Sequence, residues 1–287
     1  MSYGSPSGWY PNLLSYICRL FYLGDRYFGS QFQPGLTTVQ EELINALSKW
    51  SKETHTTKTV QLAGRTDKGV HSFGQVVQIH MNRTIRIDEI NDYLPDDIIL
   101  WAHAPIRNDF RPRFDALMRH YRYFFYDIQE NPDIRSMRLA LQDIIGSHDF
   151  SSLAKPDGDR PTTTTIINAS LSKIDNTLHM DMFGTNFLWK LVRKTATLLI
   201  KIGQGELNHK IIKHILETKE VLPSGVMPAA PEALVLMETV VPIQFNTSKH
   251  ALRRIQNHLN NRIKYLGRFH HTLSSFSDYF SFQGNLS

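Results

Sequence analysis

The chain has 287 residues, of which 41% are hydrophobic and 21% charged, which is enough apolar material for one large or two modest domains and excludes a disordered protein. Its formal net charge is +5, a mild basic excess that is compatible with a polyanionic partner. Cys18 is the only cysteine, which excludes internal disulfides and cysteine-rich metal sites, and the 13 histidines show no metal-ligand spacing.

The N-terminal segment is rich in Ser, Pro, Gly and Tyr, and it predicts a flexible leader over residues 1–12. It has no basic stretch followed by an apolar stretch, as a secretory signal would, and no run of about 18 apolar residues occurs anywhere. We therefore expect a cytoplasmic protein that does not span a membrane.

The first half of the chain alternates strand and helix patterns. Residues 13–23 are apolar and aromatic enough for a buried strand, and Thr38 is placed to cap a helix that begins at Val39. A short strand over 59–63 and an alternating strand over 75–81 enclose a glycine-punctuated loop, residues 64–74. A further strand is expected over 98–103. The loop thus lies between two strands, where functional residues are commonly displayed.

The second half repeats this alternation. Strands are expected over 119–126, 165–174 and 177–182, then a helix over 187–202 and a last strand over 233–240. Two successive sets of strands and helices predict two similar α+β lobes, one over residues 13–104 and one over residues 105–245.

The C-terminal tail, residues 246–287, has a different character. No Asp or Glu occurs between Thr239 and Ser277, and the apolar residues repeat at helical spacing: Leu252, Ile255, Leu259 and Ile263. This pattern predicts a basic helix with one docked face and one cationic face. Whether the cationic face contacts RNA or is only solvated stays open at this stage.

The candidate chemistry is concentrated in one loop. Asp67 lies between Gly64 and Gly69, with Arg65 and Lys68 close on either side, and such neighbours favour an ionised carboxylate. A positioned carboxylate can act as a nucleophile or as a base. An Asp that only braces a turn would produce the same local pattern, so the loop alone does not decide between the two.

Further motifs along the chain favour a catalytic role for Asp67 over a role in bracing the turn. They are Tyr22-x-Gly24-x-x-Tyr27-x-Gly29 followed by Thr38-Val39-Gln40, the loop Ala63-Gly-Arg-Thr-Asp-Lys-Gly-Val-His71, Arg113-Phe-Asp-Ala116 leading to Arg119-His-Tyr-Arg-Tyr123, and Gly184-Thr-Asn-Phe-Leu-Trp-Lys-Leu-Val-Arg193. Together they resemble the TruA family of tRNA pseudouridine synthases over roughly residues 13–240. The Asp-Lys-Gly form of the loop and the Phe-Leu-Trp of the last motif are more similar to archaeal or eukaryotic relatives than to bacterial ones.

The resemblance implies a fold and a set of catalytic residues. The fold is α+β, with two RRM-like (ferredoxin-like) lobes that share a continuous antiparallel sheet, helices on one side and a central active-site cleft. Asp67 matches the catalytic carboxylate, Tyr121 the tyrosine that lies against the target base, and Arg193 the active-site arginine, which would pair with Asp67.

The resemblance also implies substrate contacts and partners. Arg65 is the candidate to fill the space that an extruded base leaves, and Arg113, Lys68, Arg119 and Lys190 are further candidate RNA contacts. We expect tRNA as the substrate, with uridines at positions 38–40 of the anticodon stem-loop as targets, a homodimer, and neither a cofactor nor a metal.

Three alternatives stay open. The chain could act on a broader or shifted set of tRNA uridines. It could be a non-catalytic tRNA-binding protein or folding chaperone on the same scaffold. It could also be a hydrolase that uses Asp67 on a glycosidic bond, although no second carboxylate partner is evident in the sequence.

Overall fold

The computed structural model describes residues 13–284, except for 127, 129, 130, 156, 159, 160, 175, 176, 221, 223 and 224, with the backbone alone for 280–284. The predicted leader, residues 1–12, lies outside the described residues. The N-terminal half contains β1 (Leu14–Tyr22), α1 (Val39–Ser51), β2 (Val60–Leu62), β3 (His71–Met81), α2 (Ile87–Asn91) and β4 (Ile98–Pro105).

The second half begins with β5 (Met118–Phe125), α3 (Ile134–Gln142), β6 (Gly146–Asp149), β7 (Thr163–Ile174) and β8 (Thr177–Gly184). It continues with α4 (Leu191–Gly203), α5 (Ile211–Thr218), a single 3-10 turn at Pro231–Ala233, β9 (Leu234–Val240), β10 (Asn246–Thr247) and α6 (Lys249–Gly284). The chain is thus a mixed α+β protein.

All ten strands join one sheet, in the order β10-β4-β1-β3-β9-β5-β8-β7-β6, with β2 paired to β3 off this path. The N-terminal strands follow the order β4-β1-β3-β2 and the C-terminal strands repeat it as β9-β5-β8-β7, which is the order of a β-α-β-β-α-β unit in each case. The strand order thus repeats between the two halves of the chain, and the division into two lobes with the predicted boundaries stays a prediction.

The two halves of the sheet meet where β3 lies beside β9. This contact is the one parallel pairing among the described strands, with His71 beside Val235 and Ser72 beside Leu236, and the other pairings are antiparallel. The predicted antiparallel sheet is therefore continuous but not wholly antiparallel. Farther along β3, the same edge pairs with β2 instead, so β3 changes neighbour along its length.

Alternation along the strands explains the two sides of the sheet. In β1, Cys18, Leu20 and Tyr22 point to one face and pack with α1, whose buried residues include Leu43 and Leu47. The C-terminal half buries a second core on its strands together with α3, α4 and α5. Thr38 caps α1 as predicted, because its Oγ1 accepts a hydrogen bond from the Glu41 backbone N–H at 3.3 Å.

The tail helix lies on the opposite face of the N-terminal half. Phe21 alternates with Leu20 and Tyr22 and therefore points away from α1, and it packs with Ile99 against Ala251 and Ile255 of α6. The expectation that helices occupy one side is therefore wrong for α6. The expectation of a helix with one docked face is confirmed for its first turns.

One predicted boundary is wrong for a local reason. The helix expected over 187–202 begins at Leu191, and Lys190 before it adopts a left-handed backbone with φ of +66° and no side-chain cap. Residues 187–190 therefore form a turn, which the apolar periodicity could not distinguish from a first helical turn. As the site geometry below shows, this turn presents Trp189.

Candidate active site

The loop that carries Asp67, residues 63–70, connects β2 to β3 at the place where β3 changes neighbour from β2 to β9. The sheet is therefore interrupted beside the loop, and residues from both halves of the chain approach it. A cleft of about 1930 Å³ opens there. Its size exceeds the 300–1,000 Å³ of a typical small-molecule pocket, which suits a larger substrate.

Hydrogen bonds hold the loop on the N-terminal half. The Thr66 backbone N–H donates to Ser30 Oγ at 2.8 Å, and the Ser30 backbone N–H donates back to the Thr66 carbonyl at 3.1 Å. The Thr66 hydroxyl is hydrogen-bonded to the Tyr22 hydroxyl at 2.8 Å, and Gln75 donates to the Gly64 carbonyl at 3.0 Å. Asp67 therefore follows a residue whose backbone and side chain are both tied to β1 or to the segment after it.

Two glycines allow the loop to approach its neighbours closely. A Cβ added to Gly24 would lie 2.0 Å from the Val70 carbonyl oxygen, so no other residue fits there without a backbone shift. Gly69 donates its N–H to the Gly24 carbonyl at 3.2 Å and has a φ of +85°, a conformation that favours glycine. These glycines of the motif are thus explained by backbone geometry.

The Asp67 carboxylate receives two hydrogen bonds from the turn and helix at 187–203. Arg193 donates from a terminal nitrogen to Oδ2 at 2.7 Å, and Trp189 Nε1 donates to Oδ1 at 2.8 Å. The side chains of Arg193 and Asp67 are 11% and 23% exposed, so the ion pair is partly shielded from water. Both donors bind the carboxylate directly and fix the direction of its oxygens.

Arg193 is itself oriented by the chain. Its Nε donates to the Ala229 carbonyl at 2.7 Å, which leaves a terminal nitrogen directed at Asp67. The predicted pairing of Asp67 with Arg193 is therefore confirmed as a contact. Their catalytic roles are not tested by geometry alone.

Trp189 was not among the predicted site residues. Its indole N–H reaches Asp67, its side chain is 41% exposed, and the Lys155 ammonium lies 4.1 Å from the centre of its ring. Trp189 belongs to the Phe187-Leu188-Trp189 triplet of the last sequence motif, but the apolar periodicity there predicts a helix and not a turn. The turn before α4 places the indole N–H beside the carboxylate.

Tyr121 lines the cleft from β5 and is buried, with 7% of its surface exposed. Phe187 contacts its ring edge-on, with 5.0 Å between the ring centroids. Burial raises the pKa of the Tyr121 hydroxyl, and of the nearby charges Arg119 lowers it while Asp67 raises it. The hydroxyl is therefore protonated at neutral pH, and this favours a stacking or hydrogen-bond-donating role for Tyr121 over one as a base.

The structure brings the predicted substrate-binding residues to the same cleft. Arg65, Lys68, Arg113, Arg119 and Lys190 all line it. Arg65 is half exposed and lies 3.6 Å from Asp157, and the Lys68 ammonium lies 4.3 Å from the centre of the Phe28 ring. Flexible cations of this kind at a cleft rim are suited to contact a phosphate backbone.

Arg119 has a different environment from the other cations. It is 7% exposed, and its guanidinium donates to the carbonyls of Thr185 at 2.5 Å, Arg113 at 2.8 Å and Ala63 at 3.0 Å. These three carbonyls come from separate segments around the cleft. The geometry indicates that Arg119 holds the cleft walls together, and its predicted contact with RNA stays a prediction.

His71 supports the loop from its C-terminal side. Its Nδ1 accepts a hydrogen bond from the Gly24 backbone N–H at 2.9 Å, and burial lowers the pKa of His71 below its ordinary value of 6.5. The ring is therefore neutral at pH 7. Only the neutral ring can accept this hydrogen bond, because both nitrogens of a protonated histidine are donors.

Within the described part of the chain, no group of three or more His, Cys, Asp or Glu is placed to hold a metal ion. No described helix combines the length and the apolar character that a membrane crossing requires.

Comparisons with known proteins indicate the same family as the sequence motifs. A family model described as tRNA pseudouridine synthase matches residues 140–240. The tRNA pseudouridine synthase A of Archaeoglobus fulgidus is 33% identical over 266 residues, which cover 92% of this chain and 98% of that one. The enzyme of the same name from Methanosarcina mazei is 34% identical over 85% of this chain and 92% of its own.

Among solved structures, a chain of an H/ACA ribonucleoprotein bound to a substrate RNA containing 2′-deoxyuridine superposes with a TM-score of 0.35. The sequence identity is 8%, over 66% of this chain and 42% of that chain. A superposition this loose bears neither on the fold nor on the function.

Proposed function

The chain belongs to the tRNA pseudouridine synthase A family, and on this premise we propose that its cleft converts uridine to pseudouridine in tRNA with Asp67 as the catalytic carboxylate. The observation that carries the proposal is the Asp67 carboxylate itself, held at one oxygen by Arg193 and at the other by Trp189, beside a cleft large enough for a nucleotide and its flanking backbone.

The reaction is an isomerisation of the nucleotide. The N1–C1′ bond breaks, the uracil turns, C5 bonds to C1′, and the C5 proton leaves while N1 gains one, so substrate and product have the same atoms. The chain's residues have to supply a positioned anion, hold the detached base and exclude water. An Asp67 oxygen directed into the cleft can attack the nucleotide or stabilise positive charge that develops at the ribose.

The remaining roles follow from position. Tyr121 presents an aromatic ring on which the detached base can stack, and its buried hydroxyl stays protonated. Arg193 holds the Asp67 carboxylate in its orientation. Arg65, Lys68, Arg113 and Lys190 extend cationic side chains along the cleft, where the RNA backbone would pass. Arg65, at the loop itself, is our candidate to fill the space of the extruded base.

We propose the anticodon stem-loop, with uridines at positions 38–40, as the target, and a homodimeric cytoplasmic enzyme as the working form. The resemblance supports all three statements. A base within a stem must leave the stack to reach Asp67, at a cost of a few kcal/mol, so the enzyme has to bind the flanking backbone strongly. The rim of cations around the cleft supplies this binding.

The test measures tritium release from tRNA transcripts that carry 5-³H-uridine, with the native chain, Asp67→Ala and Asp109→Asn. Asp109 is a suitable control because it is an exposed aspartate that pairs with Arg107 at 2.8 Å on the surface. We expect release with the native chain and the control, a fall of more than about 10³-fold in Asp67→Ala, and no free uracil.

Each other result has a defined meaning. Free uracil would indicate a hydrolase, and tight tRNA binding by the native chain without release would indicate a binding protein or chaperone. Either result would overturn the proposed reaction. Mapping the modified sites tests the target separately: pseudouridine only outside the anticodon stem-loop would leave the reaction intact and contradict the proposed positions.

A further inference from the structure

The distal half of α6 projects away from the body of the protein. Ala251 and Ile255 are buried against the sheet, and Arg262 forms an ion pair with Asp25. Residues 263–284 extend roughly 30 Å beyond it at 1.5 Å per residue. Every described side chain in this segment is exposed.

The exposed segment nevertheless has an apolar face. Seven large apolar side chains among its described residues are between 47% and 67% exposed, and they are Ile263, Tyr265, Leu266, Phe269, Leu273, Phe276 and Tyr279. Leu266, Phe269, Leu273 and Phe276 recur with alternating spacings of three and four residues. This continues the spacing of Leu252, Ile255 and Leu259 in the docked half, with Arg262 as the one interruption. A three-four alternation is the seam pattern of paired helices.

The charged side chains lie away from this seam, which Leu266, Phe269, Leu273 and Phe276 define. In residues 263–279 the formally charged side chains are Lys264, Arg268 and Asp278, and all three fall on the side of the helix away from the seam. The positions that flank the seam carry Ile263, Tyr265, His270, Thr272, Ser277 and Tyr279, with no Lys, Arg, Asp or Glu. Two copies of the seam can therefore meet without repulsion between formal charges.

The composition of the segment gives an independent reason for a partner. Gly267, Thr272, Ser274, Ser275 and Ser277 are poor helix formers. Helices without packing contacts are marginal in water even when their residues favour helix, so this segment needs its apolar face covered to remain helical. Its own body does not cover that face, because the contacts of α6 with the sheet end near Leu259.

We infer that residues 263–279 pair with the same segment of a second copy of this chain, as a short two-stranded helical interface. The seven side chains would bury on the order of 600 Å² per chain, near the roughly 800 Å² of a standard specific interface. An isologous contact of this kind closes on itself as a dimer. RNA is the alternative partner of this segment. It would bind Lys264 and Arg268, on the side of the helix opposite the seam, and would leave the apolar seam exposed.

The inference adds a defined surface to the proposed homodimer and does not depend on the catalytic reaction. Its test is the molar mass of the full chain by sedimentation at about 1–100 µM, for the native chain, Leu273→Glu and Ser275→Glu. Both substitutions add one negative charge to the same exposed helical stretch, but only Leu273 lies on the seam. Ser275 therefore controls for the charge and for helix propensity.

We expect the native chain and Ser275→Glu to reach the mass of two chains, and Leu273→Glu to dissociate at least tenfold more readily. Equal thermal unfolding of the body in the two variants verifies that the rest of the chain is folded. A native chain of single mass throughout the range, a Leu273→Glu variant that stays dimeric, or equal loss of the dimer in both variants would each overturn the inference. A loss of tRNA affinity in Leu273→Glu without a change in mass would assign the seam to RNA instead.

Discussion

Replacing Trp189 by Phe isolates one of the two hydrogen bonds that hold Asp67. The substitution keeps an aromatic ring beside Lys155 and removes the indole N–H that donates to Asp67 Oδ1 at 2.8 Å. A hydrogen bond to a charged group contributes about 1.5–3 kcal/mol, and the 41% exposure of Trp189 places this one at the lower end. Because 1.4 kcal/mol is a factor of ten in rate, we expect the chemical step to slow about tenfold.

The assay is single-turnover tritium release with enzyme in saturating excess, so that weaker tRNA binding does not affect the rate. Trp50→Phe is a matched control, because the Trp50 indole N–H also donates to a carboxylate, Glu89, at 2.9 Å, on the N-terminal half and outside the cleft. A rate for Trp189→Phe at or above that of the native chain, or an equal decrease in both variants, would refute the claim that Trp189 orients Asp67.

Two further predictions concern the loop. Gly24→Ala places a Cβ 2.0 Å from the Val70 carbonyl oxygen, so we expect a loss of about 1–3 kcal/mol of stability and lower activity, measured by thermal unfolding and tritium release. Gly267→Ala is the control, because open space surrounds Gly267 and the substitution should not lower stability. Equal effects of the two substitutions would contradict the close approach of Gly24 to Val70. Burial lowers the pKa of His71, so the neutral ring stabilises the fold above about pH 6.5. Below that pH the free energy of unfolding and the activity should fall together. Values of both that do not change between pH 7 and pH 5 would contradict this prediction.

The sequence predicted most of the strands because their signals are local. In β1 the alternation of Leu20, Phe21 and Tyr22 between two buried faces makes the whole run apolar, and the N-cap Thr38 marks the start of α1 directly. Five elements were not predicted: α2, α3, α5, β6 and β10. Four of them are between four and nine residues long and β10 has two residues, so each carries too short a pattern to predict, and packing in the folded protein decides its conformation.

The sequence predicted the main residues of the site, but not which of them hold the cleft together and which contact Asp67. The resemblance predicts that Asp67, Tyr121 and Arg193 share one site, and all three line the cleft. It could not show that Arg119 binds three carbonyls of its own chain, since those carbonyls belong to segments far apart in sequence. Nor could it place Trp189 on Asp67, because that contact requires a left-handed residue before α4 that no local side-chain signal announces.

The position of the Asp67–Arg193 pair links catalysis to the assembly of the sheet. Asp67 is tied to β1 and its following segment, whereas Arg193 belongs to α4 of the other half, 126 residues later. Other contacts also join the halves near the site, among them the short parallel contact of β3 with β9 and the hydrogen bond from the Ser72 hydroxyl to the Leu236 carbonyl at 3.1 Å. A carboxylate with both oxygens bound therefore exists only when the two halves are in register. A perturbation at the β3–β9 junction should then lower activity before it lowers the stability of either half, because each half retains its own core.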